Sequence, residues 1–155
     1  MARADQEKHE QNLGALRLWV ALSRAHGAIA ESARADVARH GLSGAEFGAL
    51  EALYHKGPML LSELQRKILV SSGGITYVLD RLAEKGLATR RPCASDRRAT
   101  YAELTTEGEA LIARVFPEHA ETLGRALAGL SATEQAQAEK LLKKLGLHAA
   151  GVAAQ

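Results

Sequence analysis

The chain has 155 residues, 46% of them hydrophobic and only 4% aromatic, with a formal charge of +2. That length makes one domain the prior and is enough for a core, while so small a charge does not by itself announce a nucleic-acid partner. The single cysteine excludes an intramolecular disulfide framework. Residues 1–11 are charged without an apolar signal core, and no stretch approaches the roughly eighteen apolar residues of a membrane span. The expectation is a soluble, cytoplasmic protein.

In chain order, the pattern predicts a first helix over residues 6–39, with Leu13, Leu16, Trp19, Val20 and Ala30 among its apolar positions. It is too long and too unevenly amphipathic to serve only as a core helix of a small domain, and His40-Gly41 ends it. Ser43-Gly44-Ala45-Glu46 reads as a capping box opening a second helix, with Phe47, Leu50 and Leu53 buried and Gly57-Pro58 as the stop. Met59-Leu60-Leu61 adds a short strand. Ser62 then caps a short helix through Leu64 and Ile68, and Ser71-Ser72 leads into the next.

That next helix carries Ile75, Val78, Leu79 and Leu82 at i, i+3, i+4 and i+7, one buried stripe. Its opposite face shows Ser72, Gly73, Thr76, Tyr77, Asp80 and Arg81, small and hydrogen-bonding towards the N-terminus. Free N–H groups and the positive end of the helix dipole suit that end to phosphates and base edges. A strand-like segment follows, then a turn and a second strand, with Arg90, Arg91, Arg97 and Arg98 crowded into nine positions. Helix, short turn, helix and hairpin together describe a winged helix-turn-helix.

The distribution of charge agrees. Over residues 59–104, eight basic residues (Arg66, Lys67, Arg81, Lys85, Arg90, Arg91, Arg97, Arg98) face five acids (Glu63, Asp80, Glu84, Asp96, Glu103), a net +3 that leaves −1 for the rest. An arginine at a hairpin tip suits a minor groove, and Asp96 beside Arg97 and Arg98 would hold one of them. Arg90 and Arg91 on the wing stem suit phosphates. Thr76, Tyr77 and Arg81 suit bases or phosphates, and Ser72 and Gly73 offer backbone N–H groups. Asp80, acidic on this face, is expected to orient Arg81 or Arg66.

Two helices follow. Thr105-Thr106-Glu107-Gly108-Glu109 offers caps for one carrying Leu111, Ile112, Val115, Phe116, Leu123 and Leu127, in which Pro117 predicts a kink. Ser131-Ala132-Thr133-Glu134 is a capping box for the last, with Ala138, Leu141, Leu142 and Leu145. Residues 149–155 read as a disordered tail of small residues. The first helix and the last two carry more apolar surface than a winged domain can cover, which favours a two-fold dimer over a monomer with its helices packed back.

Other features compete for a role. Trp19, Ser23 and His26 share a face of the first helix at i, i+4 and i+7; against Phe47, Leu50 and Tyr54 they would form an apolar ligand pocket with a few polar groups, or ordinary packing. Cys93, among Arg90, Arg91 and Arg97, offers an alternative reading as a redox sensor, although no second cysteine exists to resolve a sulfenate. A winged-helix module used only for protein contacts is a further alternative. His9, His26, His40, His55, His119 and His148 show no metal-ligand spacing, and neither a phosphate-cradling glycine loop nor a nucleophile turn is present. No metal, cofactor or enzymatic activity is expected.

With these motifs in order, the chain resembles the MarR family of bacterial transcriptional regulators across residues 13–145. The most specific match is Asp96-Arg97-Arg98-Ala99 followed by Leu104-Thr105-Thr106-Glu107-Gly108, similar to that family's Asp-x-Arg wing tip and Leu-Thr-x-x-Gly helix start. Ser62-Glu63-Leu64, the run from Ile75 to Leu82 and Glu84-Lys85-Gly86-Leu87 support it. The resemblance implies a mainly α fold with a small β-hairpin (α+β): one MarR-like domain over residues 1–155, with dimerisation helices at 6–40 and 106–148 and a DNA-binding lobe at 43–105. It further implies a homodimer on a palindromic operator in double-stranded DNA, usually repressing. A small aromatic or phenolic ligand would release the DNA from a cleft between the dimerisation helices and the DNA-reading lobe.

Overall fold

The computed structural model describes residues 2–68, 72–93 and 99–153. The elements are α1 (Ala2–Ala38), α2 (Gly44–Lys56), β1 (Met59–Leu60), α3 (Leu61–Ile68), α4 (Ser72–Glu84), β2 (Ala88–Pro92), β3 (Thr100–Leu104), α5 (Thr106–Leu127) and α6 (Ala132–Ala153). The sheet is antiparallel in the order β1-β3-β2, with Met59 opposite Ala102 and Arg90 opposite Ala102 from the other side.

Local chemistry sets the boundaries. Ser43 caps α2 with a complete box: its Oγ accepts the Glu46 N–H at 3.2 Å, and its own N–H donates to Glu46 Oε2 at 2.6 Å. Ser131 and Glu134 repeat the device at α6, at 2.8 and 3.4 Å. Three expectations need correction. α1 starts earlier, at Ala2, and α3 begins at Leu61, so Ser62 lies within its first turn instead of capping it. α5 carries Pro117 inside its helical span, on the exposed face, where the sequence placed it. α6 continues to Ala153 where a tail was expected, because alanine, the best helix former, dominates that small-residue stretch.

The core lies in the winged lobe and along α5. Ile75, Val78, Leu79 and Leu82 of α4 are all buried, as the spacing predicts, with Leu50, Leu64, Ile112 and Val115 beneath them. At about 1.5–3 kcal/mol for each large apolar side chain removed from water, this cluster supplies the main stabilising term. Lys85 adds a polar tie from the end of α4, donating to Glu46 Oε1 at 2.6 Å and to the Gly41 carbonyl at 2.7 Å. Burial pushes the Glu46 carboxyl up, but the hydrogen bonds from Lys85 and Ser43 outweigh it and hold its pKa below the ordinary value.

The exit from α4 and the return of the wing meet at one point. Gly86 adopts φ 69°, a left-handed conformation that glycine takes without steric cost, and Leu87 N–H then donates to the Leu82 carbonyl at 2.9 Å. Thr105, the N-cap of α5, accepts the Gly108 N–H at 3.0 Å and donates its hydroxyl to the Gly86 carbonyl at 2.6 Å. Its N–H donates to the Leu87 carbonyl at 3.2 Å. The backbones approach so closely that a Cβ on Gly108 would lie 1.9 Å from the Leu87 oxygen. The Leu-Thr-x-x-Gly signature is thus a packing requirement. Gly108→Ala is expected to destabilise the fold by about 3 kcal/mol or more, read as a lowered denaturant midpoint at fixed protein concentration; an unchanged midpoint would contradict this packing.

The terminal helices are different. α6 makes no extended contact with any other described element, and Ala138 alone among its described side chains is other than exposed. The N-terminal half of α1 is nearly as open: Trp19 is 65% exposed, and Leu16, Leu18, Leu141, Leu142 and Leu147 also face outward.

Candidate nucleic-acid interface

α4 presents its non-core face to solvent. Gly73, Thr76, Tyr77 and Arg81 are all exposed, on the side opposite Ile75, Val78 and Leu79. Ser72 opens the helix, so its backbone stands at the end where N–H groups lack helical partners. A Cβ added at Gly73 would meet none of the described residues within 4 Å.

The basic side chains are held in pairs. Arg90 of β2 crosses to α4, with Nη1 2.7 Å from Asp80 Oδ1 and Nη2 donating to the Thr76 carbonyl at 2.9 Å. Arg81 pairs with Glu84 at 2.6 Å. Asp80 therefore serves Arg90, not the expected Arg81 or Arg66: one turn beyond Asp80, Glu84 takes Arg81, and the wing brings its own arginine back over the helix. Arg91, next in the strand and so on its other face, lies 3.2 Å from Glu103 and covers the Tyr101 ring at 5.2 Å. Arg66 and Lys67, at the end of α3, have no ion pair among the described residues. Their sequence signal was only their part in the local basic excess.

Cys93 lies one residue beyond β2, where its N–H donates to the Ala99 carbonyl at 3.0 Å and closes the wing stem. The expected tip residues Asp96, Arg97 and Arg98 lie outside the described residues.

The six expected pocket residues are not brought together within one chain. Leu50 is fully buried in the core, and Tyr54 is largely exposed, edge-on to the His55 ring at 5.3 Å. Phe47 does border a cleft of about 360 Å³, but the α1 residues across it are Ala30, Ala33, Arg34 and Val37, with Gly44 and His119 completing the wall. Trp19, Ser23 and His26 sit earlier on α1; at about 1.5 Å per residue, Trp19 is about 16 Å along the axis from Ala30. α2 packs only on the C-terminal end of a rod that the periodicity alone could not divide.

The cleft's polar wall was not legible in sequence. Asp36 and His119, far apart in the chain, meet in the interior with His119 Nδ1 2.8 Å from Asp36 Oδ2. Thr122 Oγ1 donates to Asp36 Oδ1 at 3.1 Å, and Arg39 reaches the same oxygen. Burial pushes Asp36 up, yet the hydrogen bonds from His119, Arg39 and Thr122 prevail and hold its carboxyl below the usual range. An ionised Asp36 only accepts, so His119 Nδ1 donates to it. The His119 ring lies 4.5 Å from that of Phe47, tilted by 54°.

An exposed helix face beside an antiparallel wing, on a helix-turn-helix core, defines a winged helix-turn-helix DNA-binding protein. Comparison with known proteins makes the class specific. A sequence model for the MarR family matches residues 40–99. The HTH-type transcriptional regulator MhqR of Bacillus subtilis is 40% identical over 134 residues, covering 86% of this chain and 92% of MhqR. A mutant MarR from Escherichia coli, solved in complex with operator DNA, superposes with a TM-score of 0.77 at 26% identity, covering 85% and 95% of the two chains. BpsR of Bordetella bronchiseptica, whose DNA binding is regulated by 6-hydroxynicotinic acid, superposes at 0.75 with 24% identity, covering 84% and 98%. The chain belongs to the MarR family: it is a transcriptional regulator with a DNA-binding winged helix, and not an enzyme. No helix among the described residues is long and apolar enough to cross a membrane.

Proposed function

We propose that the chain is a homodimeric repressor that binds a palindromic operator and is released by a small aromatic ligand. The observation that carries this reading is the open apolar surface of α1 and α6 on a chain whose described helix-turn-helix and wing stem are packed around their own core. Contiguous apolar patches beyond a few hundred Å² are rare on monomers. A second copy, pairing α1, α5 and α6 about a two-fold axis, covers this surface with its own equivalent. Residues 6–40 and 106–148 then act as dimerisation helices around the 43–105 reading lobes, and two α4 helices address half-sites about 34 Å apart.

On that reading, Ser72 and Gly73 approach phosphate through backbone N–H groups, Thr76, Tyr77 and Arg81 face the major groove, and Arg97 and Arg98, steadied by Asp96, enter the minor groove. Operator affinity is expected to fall with salt at a log–log slope of about −0.9 per neutralised phosphate. Arg97→Ala with Arg98→Ala should weaken binding by about 1–3 kcal/mol per lost contact, measured by gel shift on the chain's own upstream DNA. Parental affinity in a folded double variant would defeat the wing assignment.

The dimer has its own test. Trp19 is the only tryptophan and is 65% exposed in one chain. Its emission should be blue-shifted at micromolar concentration and move red as dilution dissociates the dimer. Sedimentation of a stable folded monomer at low micromolar concentration would refute the assembly.

For the ligand, the cleft between α1, α2 and α5 joins an aromatic wall, Phe47, to a cation at the rim, Arg34, which pairs with Glu31 and would exchange that partner for the carboxylate of an aromatic acid. A ligand releases DNA only by preferring the dimer whose recognition helices are wrongly spaced. A panel of aromatic acids should contain one that displaces operator, with Arg34→Ala weakening that effect while leaving operator affinity intact. Displacement that Arg34→Ala leaves unaltered would remove this cleft from the switch.

A further inference from the structure

The Arg90 guanidinium spans one full turn of the recognition helix. It reaches the Asp80 carboxylate at 2.7 Å and the Thr76 carbonyl at 2.9 Å, and these two residues stand at i+4 and i on α4. Both terminal nitrogens are thereby engaged, in a fork that a lysine, with its single point of charge, cannot reproduce. The next residue, Arg91, turns to the other face of the strand and braces Glu103 and Tyr101 of β3. Adjacent residues of β2 thus tie the wing in two directions: to the helix that reads DNA and to its own partner strand.

We propose that the Asp80–Arg90 pair positions the wing against the recognition helix, and that Arg90 aids operator binding by this geometry and not by touching phosphate. Resting on the operator reading above, this explains why a DNA-facing helix keeps an acid at position 80. A carboxylate there repels phosphate, so on charge alone its removal tightens binding. As the anchor of the wing it does the opposite: removal frees the hairpin, and operator binding must then order it again.

The test turns on that sign. Asp80→Asn, nearly isosteric and one charge more positive, is expected to weaken operator binding by about 2- to 30-fold, the effect of losing about 0.2–1 kcal/mol in each of two protomers. Arg90→Gln should match it, and the double variant should be no worse than either single one. A nitroxide on Cys93, the only cysteine and one residue beyond β2, reads the wing without DNA. Its spectrum should show greater mobility in both variants at an unchanged thermal midpoint. Equal or tighter binding by Asp80→Asn, or an unaltered Cys93 spectrum, overturns the proposal. A drop in the salt slope by about 0.9 per protomer for Arg90→Gln alone would make Arg90 a phosphate contact and overturn it too. Should either single variant lose thermal stability, the exchange of Asp80→Arg with Arg90→Asp decides: restored immobility of the label supports the pairing, and continued mobility refutes it. Failure of the parent chain to bind any upstream duplex counts against the operator reading, and the label, measured without DNA, still judges the pair.

Discussion

Gly108 sits against the Leu87 carbonyl with no room for a side chain, and this contact joins the three parts a winged reader needs. Leu87 is the residue at which the chain leaves α4 for the wing; Thr105 is the one at which it leaves the wing for α5. With backbone on backbone, the end of the recognition helix, the root of the hairpin and the start of the long helix become one rigid joint. Thr105 supplies the polar half of that joint, serving the N–H of Gly108 and the carbonyl of Gly86 with one hydroxyl. A threonine at the cap and a glycine three residues on follow from that geometry alone. Any movement of α5 is thereby transmitted directly to the root of the wing.

Charge on the reading head is managed in the same economical way. Three of its arginines are paired within the chain: Arg81 with Glu84, Arg90 with Asp80 and Arg91 with Glu103. Exposed pairs of this kind contribute little to stability, about 0–1 kcal/mol each. Their value lies in fixing where long, flexible side chains stand before a polyanion arrives, which lowers the ordering cost of binding. The net +3 over residues 59–104 already subtracts the partner acids Asp80, Glu84 and Glu103, so these pairs leave it unchanged.

What could be read in advance follows from how local each cause is. The α4 stripe, the capping boxes at Ser43 and Ser131 and the wing strands depend on spacing within a few residues, and the structure reproduces them. Three features that were not legible in the sequence share another origin. The partner of Asp80 lies across a hairpin, so periodicity on α4 could offer only Arg81 or a neighbour on α3. The cleft opposite Phe47 is set by where α2 lands on a 37-residue rod, and a helix's face does not reveal which stretch of it is covered. The Asp36–His119 bridge joins residues 83 apart, with nothing in either neighbourhood to announce it.

That bridge gives the cleft its mechanical meaning. α1 and α5 are held at the cleft by a buried, ionised carboxylate with three donors, an arrangement costly to break because the charge would be left unpaired in the interior. α2, by contrast, meets the same spot through the ring of Phe47 against His119, a contact without directional hydrogen bonds. At this spot the directional bonds therefore join the two long helices, while α2 rests on them through ring packing. On the proposed ligand reading, a molecule entering beside Phe47 would press on α2, which carries the capping box at Ser43 and the Glu46 carboxylate that Lys85 binds from the end of the recognition helix. Phe47, its neighbour Glu46 and Lys85 link that cleft to the end of α4.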